Sequence, residues 1–146
     1  MNRTGQTDPA RILVIEDNPA DVLLLREACN SEGLEYEFTT LVDGEEARAF
    51  LRREGKYHAV LPPNLILLDM NVPKADSVEI LEEIRRRGDM AEIPVAILSS
   101  ADAPSPKDRD AVSKATCYLT KPPSLDEFLS LGKQIRSLLE HGVPLP

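Results

Sequence analysis

Short strand-like runs alternate along this chain with longer segments whose apolar residues recur every three or four positions. The strand pattern falls on Ile12–Ile15, Tyr36–Leu41, Leu65–Leu68, Val95–Leu98 and Thr116–Thr120. Helical spacing predicts a first helix over Pro19–Ser31, with Asn18 as N-cap and an inward face of Val22, Leu25 and Cys29, joined by Leu24 and Ala28. Gly33 ends that helix. A second is predicted over Glu45–Arg53, with Ala47, Phe50 and Leu51 inward. A third runs over Ser77–Arg87, with Val78, Leu81 and Ile84 inward. Its Arg85-Arg86-Arg87 end reads as a solvated terminus suited to the helix dipole. The fourth helical stretch, Ser105–Ser113, is weakened by Pro104 and Pro106. The pattern Ser124-x-x-Glu127 opens the last helix, which carries Phe128, Leu131, Ile135, Leu138 and Leu139 inward.

Five βα units with right-handed crossovers give an α/β fold, an open, doubly wound five-stranded parallel sheet with helices on both faces. Leu65–Leu68 is wholly apolar, as a central strand covered on both sides should be. A long connection, Glu54–Asn64, holds Gly55 and Pro62-Pro63. Residues 10–141 are read as one domain, 1–9 as a disordered polar tail and 142–146 as a short C-terminal tail.

The polar residues that stop the strands carry the chemistry. The first strand ends at Glu16-Asp17, the third at Asp69-Met70-Asn71, the fourth at Ser99 and the fifth at Lys121-Pro122. In a parallel sheet these ends share one edge, where open α/β folds place ligands. Taken singly, Glu16, Asp17 and Asp69 could be helix-capping acids, Lys121 an exposed strand-end lysine, Ser99 a turn residue and Tyr118 a packing aromatic. Together, three carboxylates repel one another and call for a hard divalent cation such as Mg²⁺. Lys121 then offers a point charge, and Ser99 a hydroxyl, to a phosphoryl group. The Asn71 backbone carbonyl is placed to join the metal. Lys121-Pro122 is also a bond where a cis peptide would be cheap.

Composition narrows the classes. A formal charge of −8 argues against nucleic acid or an anionic membrane as a main partner. No apolar stretch approaches the roughly 20 residues of a membrane span. Met1–Pro9 lacks the apolar segment of a signal peptide, and two cysteines, Cys29 and Cys117, fit a reducing compartment. A cytoplasmic location is expected. His58 and His141 have no partner at metal-ligand spacing and read as surface residues. No glycine-rich phosphate loop is present.

The ordered set of acid pair, Asp69-x-Asn71-x-Pro73, Ser99, Tyr118 and Lys121-Pro122 over residues 11–140 resembles the receiver domain of two-component response regulators. The resemblance implies a flavodoxin-like fold and a phosphoacceptor, Asp69, fed by a sensor histidine kinase. It implies Mg²⁺ held by Asp17, Asp69 and the Asn71 carbonyl, with Glu16 acting mainly through water. Lys121 and Ser99 would stabilise the phosphoryl group, and Ser99 with Tyr118 would form the switch. The wording Glu-Asp-Asn-Pro-Ala-Asp, the long connection and Cys-Tyr-Leu-Thr-Lys-Pro are similar to single-domain regulators that partner bacterial phytochromes. That narrower resemblance implies a phytochrome-type kinase and a homodimer.

Departures from the family fall outside the site: Asp76-Ser77 where Asp-Gly is usual, Lys114 where glycine is usual, and the prolines before the fourth helix. They bear on the switching surface. Homodimerisation is expected through the last strand and last helix, with Leu129 or Leu139 as exposed apolar contacts. A histidine phosphotransfer domain is an open alternative partner. No enzymatic activity is expected beyond self-catalysed phosphorylation and dephosphorylation. The alternatives are a pseudo-receiver scaffold that takes no phosphate and a Mg²⁺-dependent aspartyl-phosphate hydrolase. The second normally needs an acid where Asn71 stands.

Overall fold

A computed structural model describes residues 8–146. Five strands form one wholly parallel sheet in the order β2-β1-β3-β4-β5: β1 (Ala10–Ile15), β2 (Tyr36–Leu41), β3 (Leu65–Asp69), β4 (Val95–Ser99) and β5 (Cys117–Thr120). All five residues of β3 and of β4 are buried, because helices cover both faces. Full burial of each such leucine contributes roughly 1.5–3 kcal/mol. One core packs Leu13, Ile15, Phe50, Leu68, Leu81 and Ile97; the opposite face packs Val14, Leu25, Leu67, Leu98, Phe128 and Ile135. Among the described residues no helix is long and apolar enough to cross a membrane.

The helices are α1 (Pro19–Ser31), α2 (Gly44–Leu51), α3 (Ser77–Arg86), α4 (Arg109–Lys114), α5 (Leu125–Leu129) and α6 (Leu131–His141). Asn18 caps α1 by accepting from the Ala20 N–H at 2.9 Å. Asp43 caps α2, which therefore starts one residue earlier than periodicity suggests. It stops at Leu51, because Arg53 turns into the left-handed region at φ 53°. The long connection holds a 3-10 turn over Gly55–Tyr57. Another, Pro106–Asp108, leads into α4, so the two prolines shorten the fourth helix without abolishing it.

The single last helix expected from the apolar spacing is two helices. The capping box forms, with the Ser124 Oγ accepting from the Glu127 N–H at 3.2 Å. The chain then breaks at Ser130, whose hydroxyl donates to the Glu127 carbonyl and competes with the helix ladder. Gly142, at φ 76°, ends α6. The residues after it fold back, with Ser137 Oγ donating to the Val143 carbonyl at 2.7 Å and Leu145 N–H to Gln134 Oε1 at 2.8 Å.

Three other expectations change. The Lys121–Pro122 peptide is trans, there being no cis bond among the described residues. The arginine run is not uniformly solvated. The Arg85 guanidinium donates to the carbonyls of Lys114 (3.1 Å), Ala91 (3.0 Å) and Ile93 (2.7 Å), tying α3 to the end of α4 and the entry to β4. Arg87 joins Arg52 on the buried Glu83. Leu129 and Leu139 are half-buried, and the exposed leucine of this region is Leu125. Of the tail read over residues 1–9, residues 1–7 lie outside the described residues.

Candidate functional site

The strand order reverses between β1, which pairs with both β2 and β3, and its neighbours. That switch point opens a crevice at the C-terminal strand ends. Glu16 continues β1, its N–H bonded to the Leu41 carbonyl at 2.9 Å, and its side chain is buried. Asp17 follows and is exposed. Asp69 is the last residue of β3 and is buried. Carboxylate oxygens of Glu16, Asp17 and Asp69 all lie within 4.8 Å of one another. Ser99 ends β4 opposite Thr120 of β5, and the Lys121 N–H donates to the Ser99 carbonyl at 2.7 Å. The predicted site residues thus meet at one sheet edge.

Each Asp69 oxygen has a partner. Oδ1 accepts from the Asn71 N–H and Oδ2 from Lys121 Nζ, both at 2.9 Å. Asn71 itself is exposed at the start of the following loop. Lys121 is not the exposed strand-end lysine of the plain alternative: its side chain is 10% exposed. Its ammonium also contacts Glu16 Oε1 and Asp21 Oδ2, each at 2.7 Å. Burial alone would lower its pKa, but Asp21, Glu16 and Asp69 together raise it, so Lys121 stays charged. Burial, then the neighbouring Asp69, pushes the Glu16 carboxyl up to about 7 against the pull of Lys121. Burial acts to raise Asp69 too, but Glu16, the Asn71 N–H and Lys121 outweigh it and hold Asp69 below its usual value. Asp69 therefore keeps its charge, and Glu16 is the acid of the pair that more readily takes a proton.

Asp21 is the residue sequence reasoning missed. It lies in the first turn of α1, where an acid is explained by the helix dipole alone. No sequence signal singles it out: Asp17 lies before the Asn18 cap, outside the helix, so a spacing of four gives the two acids no shared helical face.

Ser99 and Tyr118 are joined through the loop after β4. The Ala101 N–H donates to Ser99 Oγ at 3.1 Å, and the Ala101 carbonyl accepts from the Tyr118 hydroxyl at 2.7 Å. The Tyr118 ring packs half-buried against the core. Ser77, which stands where glycine is usual, is buried and donates to the Met70 carbonyl at 3.1 Å, so its side chain pins the loop that leaves Asp69. Gly44 packs against that loop from the other side: its N–H donates to the Pro73 carbonyl at 2.9 Å, and a Cβ there would overlap the Lys74 carbonyl oxygen.

The donor set consists of hard carboxylate oxygens, which suits Mg²⁺ or Mn²⁺. An acid pair, a buried strand-end aspartate, a hydroxyl and a lysine on five parallel βα units match one family across most of the chain. Residues 12–132 match the response regulator receiver domain. The chain belongs to that family. Among similar receivers, response regulator Rcp1 of Synechocystis sp. is 37% identical over 142 residues, covering 94% of this chain and 94% of Rcp1. The crystal structure of the Mn²⁺-bound form of Rcp1 superposes with a TM-score of 0.79 at 37% identity, over 94% of this chain and 99% of that one. That of the phosphorylated cyanobacterial phytochrome response regulator RcpA gives 0.81 at 35% identity, over 95% and 99%. The receiver fold and the response-regulator class expected from the strand-end residues are both borne out.

Proposed function

We propose that this receiver takes a phosphoryl group onto Asp69 from a sensor histidine kinase and signals through phosphorylation-dependent protein–protein binding. The observation that carries the reading is the Asp69 carboxylate, buried and charged at a strand end, 2.9 Å from Lys121 Nζ and beside two further acids. An Asp69 oxygen attacks the phosphorus of a phosphohistidine. The new O–P bond replaces the N–P bond, whose electron pair stays on the imidazole nitrogen, and that nitrogen takes up a proton. Lys121 turns N–H groups toward the phosphoryl oxygens, and the Asn71 N–H holds the carboxylate in line. Asp17, Asp69 and the Asn71 carbonyl would hold Mg²⁺, with Glu16 acting through water. The ion, when bound, neutralises charge on the phosphoryl oxygens.

Ser99 gains an acceptor only in the phosphorylated state, so it biases two conformations of the Ala101 loop and Tyr118. The similarity to RcpA, a cyanobacterial phytochrome response regulator, supports a phytochrome-type kinase upstream. Outputs in this reading are a homodimer through β5 and α5–α6, whose surface includes the exposed Leu125, or onward transfer to a histidine phosphotransfer domain. The working unit is residues 10–141, acting in the cytoplasm, with no catalysis beyond its own phosphorylation and dephosphorylation.

Labelling with acetyl phosphate and Mg²⁺ tests the assignment. A persistent label on Asp69 that disappears in Asp69→Asn is expected. Rapid phosphodonor turnover would instead mark a hydrolase, no label a pseudo-receiver, and label retained by Asp69→Asn a different acceptor.

A further inference from the structure

Lys121 has three N–H donors and spends them on three carboxylates from three elements: Glu16 after β1, Asp21 in α1 and Asp69 at the end of β3. An aspartyl phosphate on Asp69 brings three more strong acceptor oxygens to the same ammonium. Lysine has no further donor to give. Every N–H turned toward the phosphoryl group must leave a carboxylate.

The three carboxylates differ in what leaving costs. The Glu16 side chain is 1% exposed and that of Asp69 is 9%, whereas that of Asp21 is 21%. An acceptor stripped of its partner in a buried place bears the full desolvation penalty, whereas one that water reaches is rehydrated. Asp69 remains tied to Lys121 through its own phosphoryl group. Glu16 Oε2 also accepts from the Asn18 N–H at 3.1 Å and is held at the turn after β1. Lys121 is the only side-chain partner of Asp21 among the described residues.

Resting on the phosphoacceptor reading above, we propose that Asp21 is a competing latch on Lys121. It holds one lysine N–H in the unphosphorylated receiver and gives it up to the phosphoryl group. Asp21 is thus a positioning residue that weakens the phosphorylated state, and it passes site occupancy to the first turn of α1. A neighbour that only oriented Lys121 would act in the opposite direction, since its loss would weaken phosphoryl binding.

The test is the affinity of the full chain for beryllofluoride, a phosphoryl mimic, at saturating Mg²⁺, in wild type and Asp21→Asn. Asparagine keeps the shape and loses the charge. The variant is expected to bind about fivefold or more tightly. Unchanged or weaker binding overturns the latch. A wild type that binds no beryllofluoride overturns the phosphoacceptor reading itself, so the two failures are distinct. The ammonium resonance of Lys121, observed by NMR without the mimic, separates contact from remote charge. It should move in Asp21→Asn, and tighter binding with an unmoved resonance also overturns the latch. Asp21→Glu, which keeps the charge, guards against a misfolded amide variant: it should bind no more tightly than wild type, and tightening equal to that of Asp21→Asn overturns the proposal.

Discussion

Ser99 and Tyr118 are tied to the two ends of one peptide-bearing residue. Ala101 gives its N–H to the Ser99 hydroxyl at 3.1 Å and takes the Tyr118 hydroxyl on its carbonyl at 2.7 Å. The serine cannot turn toward Asp69 without releasing the Ala101 N–H, which frees the loop that anchors the tyrosine.

Ser99→Ala removes the acceptor of the Ala101 N–H, so it should still bind beryllofluoride with Mg²⁺, while its Ala101 loop and Tyr118 are already loosened without the mimic and change little when it binds. Hydrogen exchange across residues 99–121, with and without the mimic, reads this out. Equal protection changes in wild type and Ser99→Ala would show that the hydroxyl is not the coupling element. Tyr118→Phe removes one hydrogen bond and should cost about 1 kcal/mol of stability.

Metal affinity should depend unequally on the acids. Mg²⁺ titration of Asp17→Asn is expected to give about a tenfold or larger loss, and Glu16→Gln a smaller one, because a ligand acting through water contributes less. Equal affinity of Asp17→Asn and wild type would remove Asp17 from the ligand set.

Glu16 predicts an unusual pH dependence in metal-free protein. Its carboxyl is raised from 4.5 to about 7, first by burial and then by Asp69. Between those values the folded protein holds a proton that the unfolded chain has released. This contribution to stability is therefore complete below the unfolded value and is lost as pH rises through the folded one. Asp69, held low, acts in the opposite sense and loses its contribution as pH falls through its folded value. Urea midpoints at about pH 5 and about pH 8 should fall with pH more in wild type than in Glu16→Gln. Identical pH responses would contradict this, and Mg²⁺ should flatten the wild-type response by relieving the repulsion.

Arg85→Met should destabilise by roughly 2–3 kcal/mol, because three carbonyls lose their donor in a half-buried place. Arg85→Lys should recover little, since an ammonium lacks the planar fork that reaches all three. Urea denaturation of both variants checks this. A lysine variant as stable as wild type would mean that charge alone matters.

Asp69, Ser99 and Lys121 were legible because each stops an apolar run, and strand ends in a parallel sheet share an edge whatever the details of packing. Asp21 was not legible, since within a helical pattern an acid in the first turn already has a sufficient local reason. Arg85, Arg86 and Arg87 look alike in sequence. Only the neighbouring carbonyls of Ala91, Ile93 and Lys114 single out Arg85. The break at Ser130 was hidden because Phe128, Leu131 and Ile135 keep helical spacing across it. Ser77 in place of glycine looked like a change to the switching surface. It is a buried hydroxyl with a partner beside Asp69, a fact that depends on the direction of the Met70 carbonyl.

Arg85 fastens the far end of α4, through the Lys114 carbonyl, to the same clamp that grips the approach to β4. The loop carrying Ala101 reaches α4 at its opposite end, by way of the Pro106–Asp108 turn. α4 is thus a door hung on one side. A displacement begun at Ser99, as the proposed switch requires, would enter at the free edge and would swing the six-residue helix about the arginine hinge rather than slide it along the sheet. Such a swing would be largest at the Arg109 end and smallest at Lys114, and a partner reading it would have to stand at the free end.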